Sequence, residues 1–338
     1  MVSRPTHEGA KYTDDAAEAT LRRADREHAK YERLIAQTKD IPAIPTAVAW
    51  PCEVHALEGP VDAAKESIIK PFLVGSEAII KAIAKKAGLD LDGCEIIDTP
   101  NPEKAAAAAV GLVRDGKAQS VMKGSLHTDV LMHAVVSKEG GLRTNRRISH
   151  VFLVSVPTYP EVLFITDAAI NIFPDLEVKR DIVQNAIDLH IGLGLGEPRV
   201  AILSAVEVVN PKIPGTTDAA CLCKMADRGQ ITGAVLDGPL AMDNAIDIEA
   251  AKIKGIHSEV AGRAQILVVP DLEAGNMLAK NLIFLAEADA AGIVLGASVP
   301  IILTSRADSV RTRLASTAVG ALYAHYLVQQ RSAAGGTA

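Results

Sequence analysis

Short apolar runs alternate along the chain with stretches whose apolar positions recur every three or four residues. The runs at 46–50, 71–74, 95–98, 120–122, 199–203, 233–236, 264–269, 292–295 and 301–303 read as buried strands. Helical periodicity over 61–69, 76–87, 102–114, 176–193, 218–225, 248–256, 273–285 and from 304 to 330 fills the intervals. Alternation at this spacing predicts right-handed crossovers and a parallel sheet. The rhythm changes at 150–165, where strands 150–156 and 161–165 are separated only by Pro157-Thr158-Tyr159-Pro160. That is hairpin spacing, so the sheet gains an antiparallel element there. Upstream, Ala17, Leu21, Ala24, Ala29 and Leu34 mark a charged helix over 14–39, capped by Thr13 or Asp14 and ended by Pro42 and Pro45.

A chain of 338 residues exceeds the roughly 250–300 at which a single core stops growing. The pattern divides it into a tail and helix (1–40), a first α/β lobe (41–144 plus 301–338) and a second (145–300), with a cleft between the lobes. Hydrophobic residues make up 49% but aromatics only 3%, so the core must be aliphatic, as in sheets buried on both faces. A net charge of -6 gives no electrostatic reason to expect nucleic acid or an anionic membrane. No apolar run reaches the ~18 residues of a membrane span, and the N-terminus is too polar for a signal peptide. These features predict a soluble cytoplasmic protein. Of Cys52, Cys94, Cys221 and Cys223, only the last two are close, and no zinc-ligand spacing accompanies them; reduced thiols are expected.

Polar clusters follow several predicted strands, at what would be the carboxyl edge of an open sheet, where ligands bind. Strand 301–303 ends in Thr304-Ser305-Arg306-Ala307-Asp308-Ser309. Hydroxyls, a guanidinium and helix-start amides suit an anion such as phosphate. The same residues also read as caps of the last helix, with Arg306 on the surface. Lys123-Gly124-Ser125-Leu126-His127-Thr128 offers donors beside a glycine that admits close backbone approach, but lacks the spacing of a nucleotide P-loop; Ser125 or Thr128 could equally be a cap. Arg143, Arg146 and Arg147 lie within five residues and suit phosphate oxygens or a solvated turn. Asp167 and Asp237 follow two further strands. Gly192-Leu193-Gly194-Leu195-Gly196 precedes a strand, so it reads as a helix C-terminus and not as a dinucleotide fingerprint.

Taken together, these segments resemble the phosphate acetyl/butyryltransferase family. The matching stretches include Met122 to Thr128, Gly141-Leu142-Arg143-Thr144, Ser149-His150, Thr166 to Asn171, Val206 to Pro211, Lys224 to Gln230, Asp237 to Ala241, Glu273-Ala274-Gly275-Asn276 and Leu303 to Ser309, across roughly residues 40–330. The resemblance looks closest to butyryl-type members. It implies a two-lobed α/β fold similar to isocitrate and isopropylmalate dehydrogenases, and a homodimer formed through the second lobe. It also implies reversible conversion of acyl-CoA and phosphate to acyl phosphate and CoA, with no metal or other cofactor beyond coenzyme A as substrate. The family's catalytic pair falls on Ser305, assigned to the thioester, and Arg306, assigned to phosphate. Substrate contacts are then expected from Lys123, Ser125, His127, Thr128, Arg143, Thr144, Asp167, Asn171, Asp237, Asn276, Thr304 and Ser309. Acetyl-type members carry an Asp base where this chain has Thr312, and a Cys where it has Ala168. Asp308 is the alternative base. Two other readings are a metal- and NAD-dependent dehydrogenase of the same fold and a non-catalytic acyl-CoA sensor.

Overall fold

The computed structural model describes residues 30–303 and 309–335. The predicted caps Thr13 and Asp14, and Thr304, Ser305, Arg306 and Asp308, lie outside the described residues.

Helix α1 (30–37) leads into an alternation of strands and helices. The strands are β1 (Ile44–Ala49), β2 (Ile69–Gly75), β3 (Glu95–Asp98), β4 (Ser120–Lys123), β5 (Ser149–Ser155) and β6 (Leu163–Thr166), then β7 (Arg199–Leu203), β8 (Val235–Leu240), β9 (Ile266–Val268), β10 (Asp289–Leu295) and β11 (Ile301–Leu303). The helices between them are α2 (Val54–Lys65), α3 (Glu77–Ala87), α4 (Pro102–Arg114), α5 (Thr128–Val136), α6 (Leu176–Gly192) and α7 (Pro214–Asp227), then α8 (Met242–Ile246), α9 (Ile248–Ile253), α10 (Leu272–Leu285) and α11 (Val310–Gly335).

All eleven strands form one sheet in the order β3-β2-β1-β4-β11-β10-β5-β6-β9-β7-β8. The first five run parallel, as do the last four; β10 is antiparallel to β11 and β5, and β5 to β6. The 157–160 turn is thus the expected hairpin, and β11 returns beside β4 as expected. The reversal has a consequence that the pattern of runs does not carry. The carboxyl ends of β1, β2, β4 and β11 point to one edge of the sheet, and those of β6, β7, β8 and β9 to the other.

Successive side chains point to opposite faces, which sorts the core into four clusters. On one face, Ala47, Val121 and Ile301 pack under α4 and α5, and Leu163, Ile165 and Leu267 under α8, α9 and α10. On the other, Val48, Leu73, Met122 and Ile302 meet α2, α3 and α11, while Val151, Phe164 and Ile293 meet α6, α7 and α11. Helix α11 therefore lies against both halves. Its small residues permit this: Ala315 and Val319 enter one cluster, Ala318, Ala321 and Ala324 the other, and a Cβ on Gly320 would stand 2.4 Å from Ile302.

Several boundaries differ from expectation: the strand predicted at 233–236 runs from Val235 to Leu240, and that at 292–295 begins at Asp289. The helix predicted at 61–69 begins at Val54 and ends at Lys65, with Pro60 inside it. Burial of Leu57, Val61 and Ala63 outweighs the proline's missing N–H, and Ile69 belongs to β2. Helix α7 starts at Pro214, where a proline is tolerated in the first turn, not at 218. The helix predicted at 248–256 begins at Ile248 but ends at Ile253 as α9, and the short α8 precedes it where no helix was expected.

Candidate active site

On the face carrying α4, α5 and α10, the two core clusters meet over β11, β10 and β5. Lys123 shares this face with Val121, and Leu303 with Ile301, because each lies two residues further along its strand. Beyond them comes Gly292 on β10, paired with Leu303 and with Phe152 of β5. A Cβ on Gly292 would lie 3.0 Å from His150 Nε2 and 3.4 Å from the Leu303 carbonyl. A bare position therefore separates a buried imidazole from the strand that leads to residue 304. His150 stacks edge-on against Phe152, and its Nδ1 has no hydrogen-bond partner among the described residues. Burial pulls its pKa down to about 4, the Asp167 charge acting in the opposite direction. The ring is neutral at pH 7.

At the carboxyl end of β4, Gly124 approaches the neighbouring strand end, not a ligand. Its N–H donates to the Ala49 carbonyl at 2.8 Å, and a Cβ would stand 2.4 Å from the Ala49 and Trp50 carbonyl oxygens. Ser125 donates from both its backbone N–H (2.9 Å) and its hydroxyl (2.8 Å) to the Trp50 carbonyl. These bonds hold Trp50 in the left-handed region, at φ 56°. The Lys123 ammonium curls over the loop and donates to the Gly124 and Leu126 carbonyls at 3.2 and 3.3 Å. His127 and Thr128 open α5 and are exposed; His127 occupies the cap position without a side-chain cap bond.

The second group of predicted residues collects at the opposite edge. Asp167, buried after β6, accepts the N–H groups of Ala169 and Ile170 on Oδ1, and the N–H and side-chain amide of Asn171 on Oδ2. Asn171 also donates to the Ile148 carbonyl at 2.9 Å, and Asn276 of α10 to the Ala168 carbonyl at 3.2 Å. The turn so fixed crosses the face, with Ala168 in one core cluster and Ile170 against the other.

The three clustered arginines separate by role. Arg146 pairs with Asp188 at 3.6 Å, and burial pushes the Asp188 carboxyl up while Gln184 and Arg146 oppose it. The Arg147 backbone N–H donates to Asp181 and its carbonyl accepts the Asn185 amide. Thr144 donates to the Gly296 carbonyl at 2.7 Å and accepts the Arg146 N–H. Arg143, exposed and bridged through its backbone to Ala297, has no ion pair among the described residues. The guanidinium of Arg147, also exposed, has no ion pair among the described residues either, so two of the three are left to meet an anion.

Register sets the spread of these groups. From Lys123 on β4 to the end of β6 is four strand spacings, about 19 Å. Ala297, which bridges Arg143, lies two residues beyond the end of β10. Asp237 stands apart: it lies inside β8 and not after a strand, three spacings or about 14 Å beyond β6. Its Oδ1 accepts the Gly238 N–H. The strand runs on because Gly238 lets β8 press on β7, where a Cβ would meet Ile202 at 2.8 Å. Ser309 caps α11, accepting the Thr312 N–H at 3.1 Å, and its hydroxyl lies 3.0 Å from that of Thr312. The counter-charges Asp181 and Asp188 and the His150–Gly292 contact are absent from the sequence reading. The i to i+7 spacing of the two acids on the buried face of α6 was their available signal.

A cavity of about 610 Å³ between α4 and α5 is lined by Val110, Arg114, Val130 and His133 among others, with Asp129 beside Thr128.

The fold defines an α/β protein built on one mostly parallel sheet flanked by helices. Residues 99–321 match the phosphate acetyl/butaryl transferase family, and the chain belongs to that family. It is 67% identical over 296 residues to a phosphate acetyltransferase of Rhizobium meliloti, covering 87% of this chain and 93% of that one. It is 44% identical over 294 residues to a phosphate butyryltransferase of Clostridium acetobutylicum, covering 87% and 98%. Among solved structures it resembles a branched-chain phosphotransacylase from Enterococcus faecalis V583, with a TM-score of 0.74, 30% identity, and coverage of 83% of this chain and 99% of that one.

Proposed function

We propose that this chain reversibly transfers a short acyl group, acetyl through butyryl, between coenzyme A and inorganic phosphate. The observation that carries the reading is 67% identity to a phosphate acetyltransferase over 87% of the chain. In the direction of acyl phosphate the nucleophile, inorganic phosphate, is already anionic at pH 7, so no base is needed to create it. The leaving thiolate has a conjugate acid near that of cysteine, about 8.5, and departs with little help. Alignment of the two reactants supplies about 7–11 kcal/mol, and one oxyanion donor about 3–4 kcal/mol.

In this reading Ser305 contacts the thioester, Arg306 and Arg143 hold phosphate, and Lys123 adds positive charge. The absence of an ion pair at Arg143 among the described residues supports its part. Thr312, buried and hydrogen-bonded to Ser309, stands where acetyl-type members are expected to carry an acidic base. Asp308 is the base proposed for the reverse direction.

The same reading includes the two lobes (41–144 plus 301–338, and 145–300), a cytoplasmic location and a homodimer. The outer side of α10 supports the dimer: Met277, Phe284 and Leu285 are each at least 65% exposed. Sedimentation of the wild type against Phe284→Glu checks it, a dimer in the first and a monomer in the second being expected. The activity is tested by following CoA thiol release from acetyl-CoA and butyryl-CoA with phosphate. Absence of turnover with both would overturn the proposal.

A further inference from the structure

Two consecutive residues of α1 aim donors at five backbone carbonyls of β5, the β5–β6 turn and β10. The buried Tyr31 hydroxyl lies 2.7 Å from the Leu153 carbonyl and 2.9 Å from that of Asp289. The Lys30 ammonium donates to the carbonyls of Val156 (2.9 Å), Tyr159 (2.5 Å) and Glu161 (3.3 Å) in the β5–β6 turn. Three acceptors for three N–H groups complete the donor set of an ammonium. No side-chain carboxylate makes a direct contact with it in these bonds; carbonyl oxygens take the place of the cation's water, as they do around small monovalent cations.

The cage is held by contacts that do not involve Lys30. The Tyr159 N–H donates to the Val156 carbonyl at 3.2 Å, and the Tyr159 hydroxyl to the Ala264 carbonyl at 2.7 Å. Arg199 holds the Glu161 carboxylate at 3.4 Å. Its negative charge nearby favours a cation in the turn, while burial works against the ammonium. Removing the lysine head would leave three carbonyl oxygens converging on one point.

We infer that the β5–β6 turn is a monovalent-cation site of the potassium and ammonium class, filled here by the chain's own Lys30, and that this occupation docks α1 on the sheet. The site is independent of the acyl-transfer reading. A cation the size of potassium or ammonium restores the docking when the lysine is gone; a smaller or a bulky one does not.

The test uses the full chain and its Lys30→Ala and Lys30→Met variants, melted in chlorides of potassium, ammonium, sodium and tetramethylammonium at equal ionic strength. The wild type is expected to melt at one temperature in all four. The variants are expected to lose on the order of 2–4 °C in tetramethylammonium and sodium, and to regain at least half of it in potassium or ammonium. Tyr31→Phe removes donors without emptying the cage, so its loss is expected to be the same in every salt. An equal loss for the Lys30 variants in all four salts overturns the inference, as does no loss at all. If neither variant folds in sodium or tetramethylammonium, folding restored in potassium or ammonium supports the site, and failure to fold in all four salts overturns it.

Discussion

The Asn171 side-chain amide donates to Asp167 Oδ2 at 2.6 Å, completing a carboxylate that also accepts three backbone N–H groups of the same turn. Asp167 thus organises the polypeptide that crosses the candidate face. Asp167→Asn puts an NH₂ group against donors. Hydrogen bonds to charged groups contribute about 1.5–3 kcal/mol each, so a loss of about 3 kcal/mol is expected in urea unfolding, with activity falling in parallel. Unchanged stability with lost activity would instead make Asp167 a direct substrate ligand.

Arg143 and Arg146 are three residues apart and are expected to answer differently to the same change. Arg143→Lys removes a planar fork available to phosphate, so KM for phosphate rises at least tenfold. Arg146→Lys touches a half-exposed pair with Asp188 worth under about 1 kcal/mol, and phosphate KM stays within about twofold. Arg306→Lys, in the Ser-Arg pair, is expected to lose more than about tenfold in rate. Steady-state kinetics in phosphate separates the three.

His150 contributes a pH dependence to folding. Burial lowers its pKa to about 4, against about 6.5 when unfolded. Between those values the unfolded chain binds the extra proton, so stability rises with pH. The full contribution is present above about pH 6.5 and is lost as pH falls towards 4, up to about 3 kcal/mol. Urea midpoints at pH 7 and pH 5 are expected to differ for the wild type, and to differ less for His150→Phe.

Two glycines give opposite outcomes on becoming alanine. At Gly124 the new methyl meets carbonyl oxygens at 2.4 Å, backbone that cannot rotate away, and a loss of about 3 kcal/mol or more is expected. At Gly111, inside α4, nothing lies within 4 Å, and a gain of about 0.5–1 kcal/mol is expected from helix propensity. Thermal melts of the two variants check both signs.

Much of the fold was legible because strand and helix periodicities are local. The strands at 95–98, 199–203 and 301–303 fall where the apolar runs put them, and the 192–196 glycines end α6 as read, Gly194 and Gly196 having positive φ. What local pattern cannot carry is strand direction. Lys123 and Asp167 each follow an apolar run and look equivalent in one dimension. The antiparallel β10 and β5 between their strands send one to each edge. Side-chain partners are equally non-local: Gly124 reads as a glycine for a ligand until Trp50, some seventy residues upstream, proves to be what it approaches. The family resemblance named residues that periodicity could not, among them Asn276, but not that Arg146 of the three neighbouring arginines is paired with Asp188.

The unbroken ladder from β3 to β8 bears on how the molecule can move. A hinge through a flexible linker would require rupturing the rungs between β11 and β10, or between β10 and β5, while α11 braces both sides. Closure about a substrate must instead come from a change in sheet coiling, a shallow torsion distributed over many peptide groups. Such a protein is expected to grip by small amplitude and to release quickly.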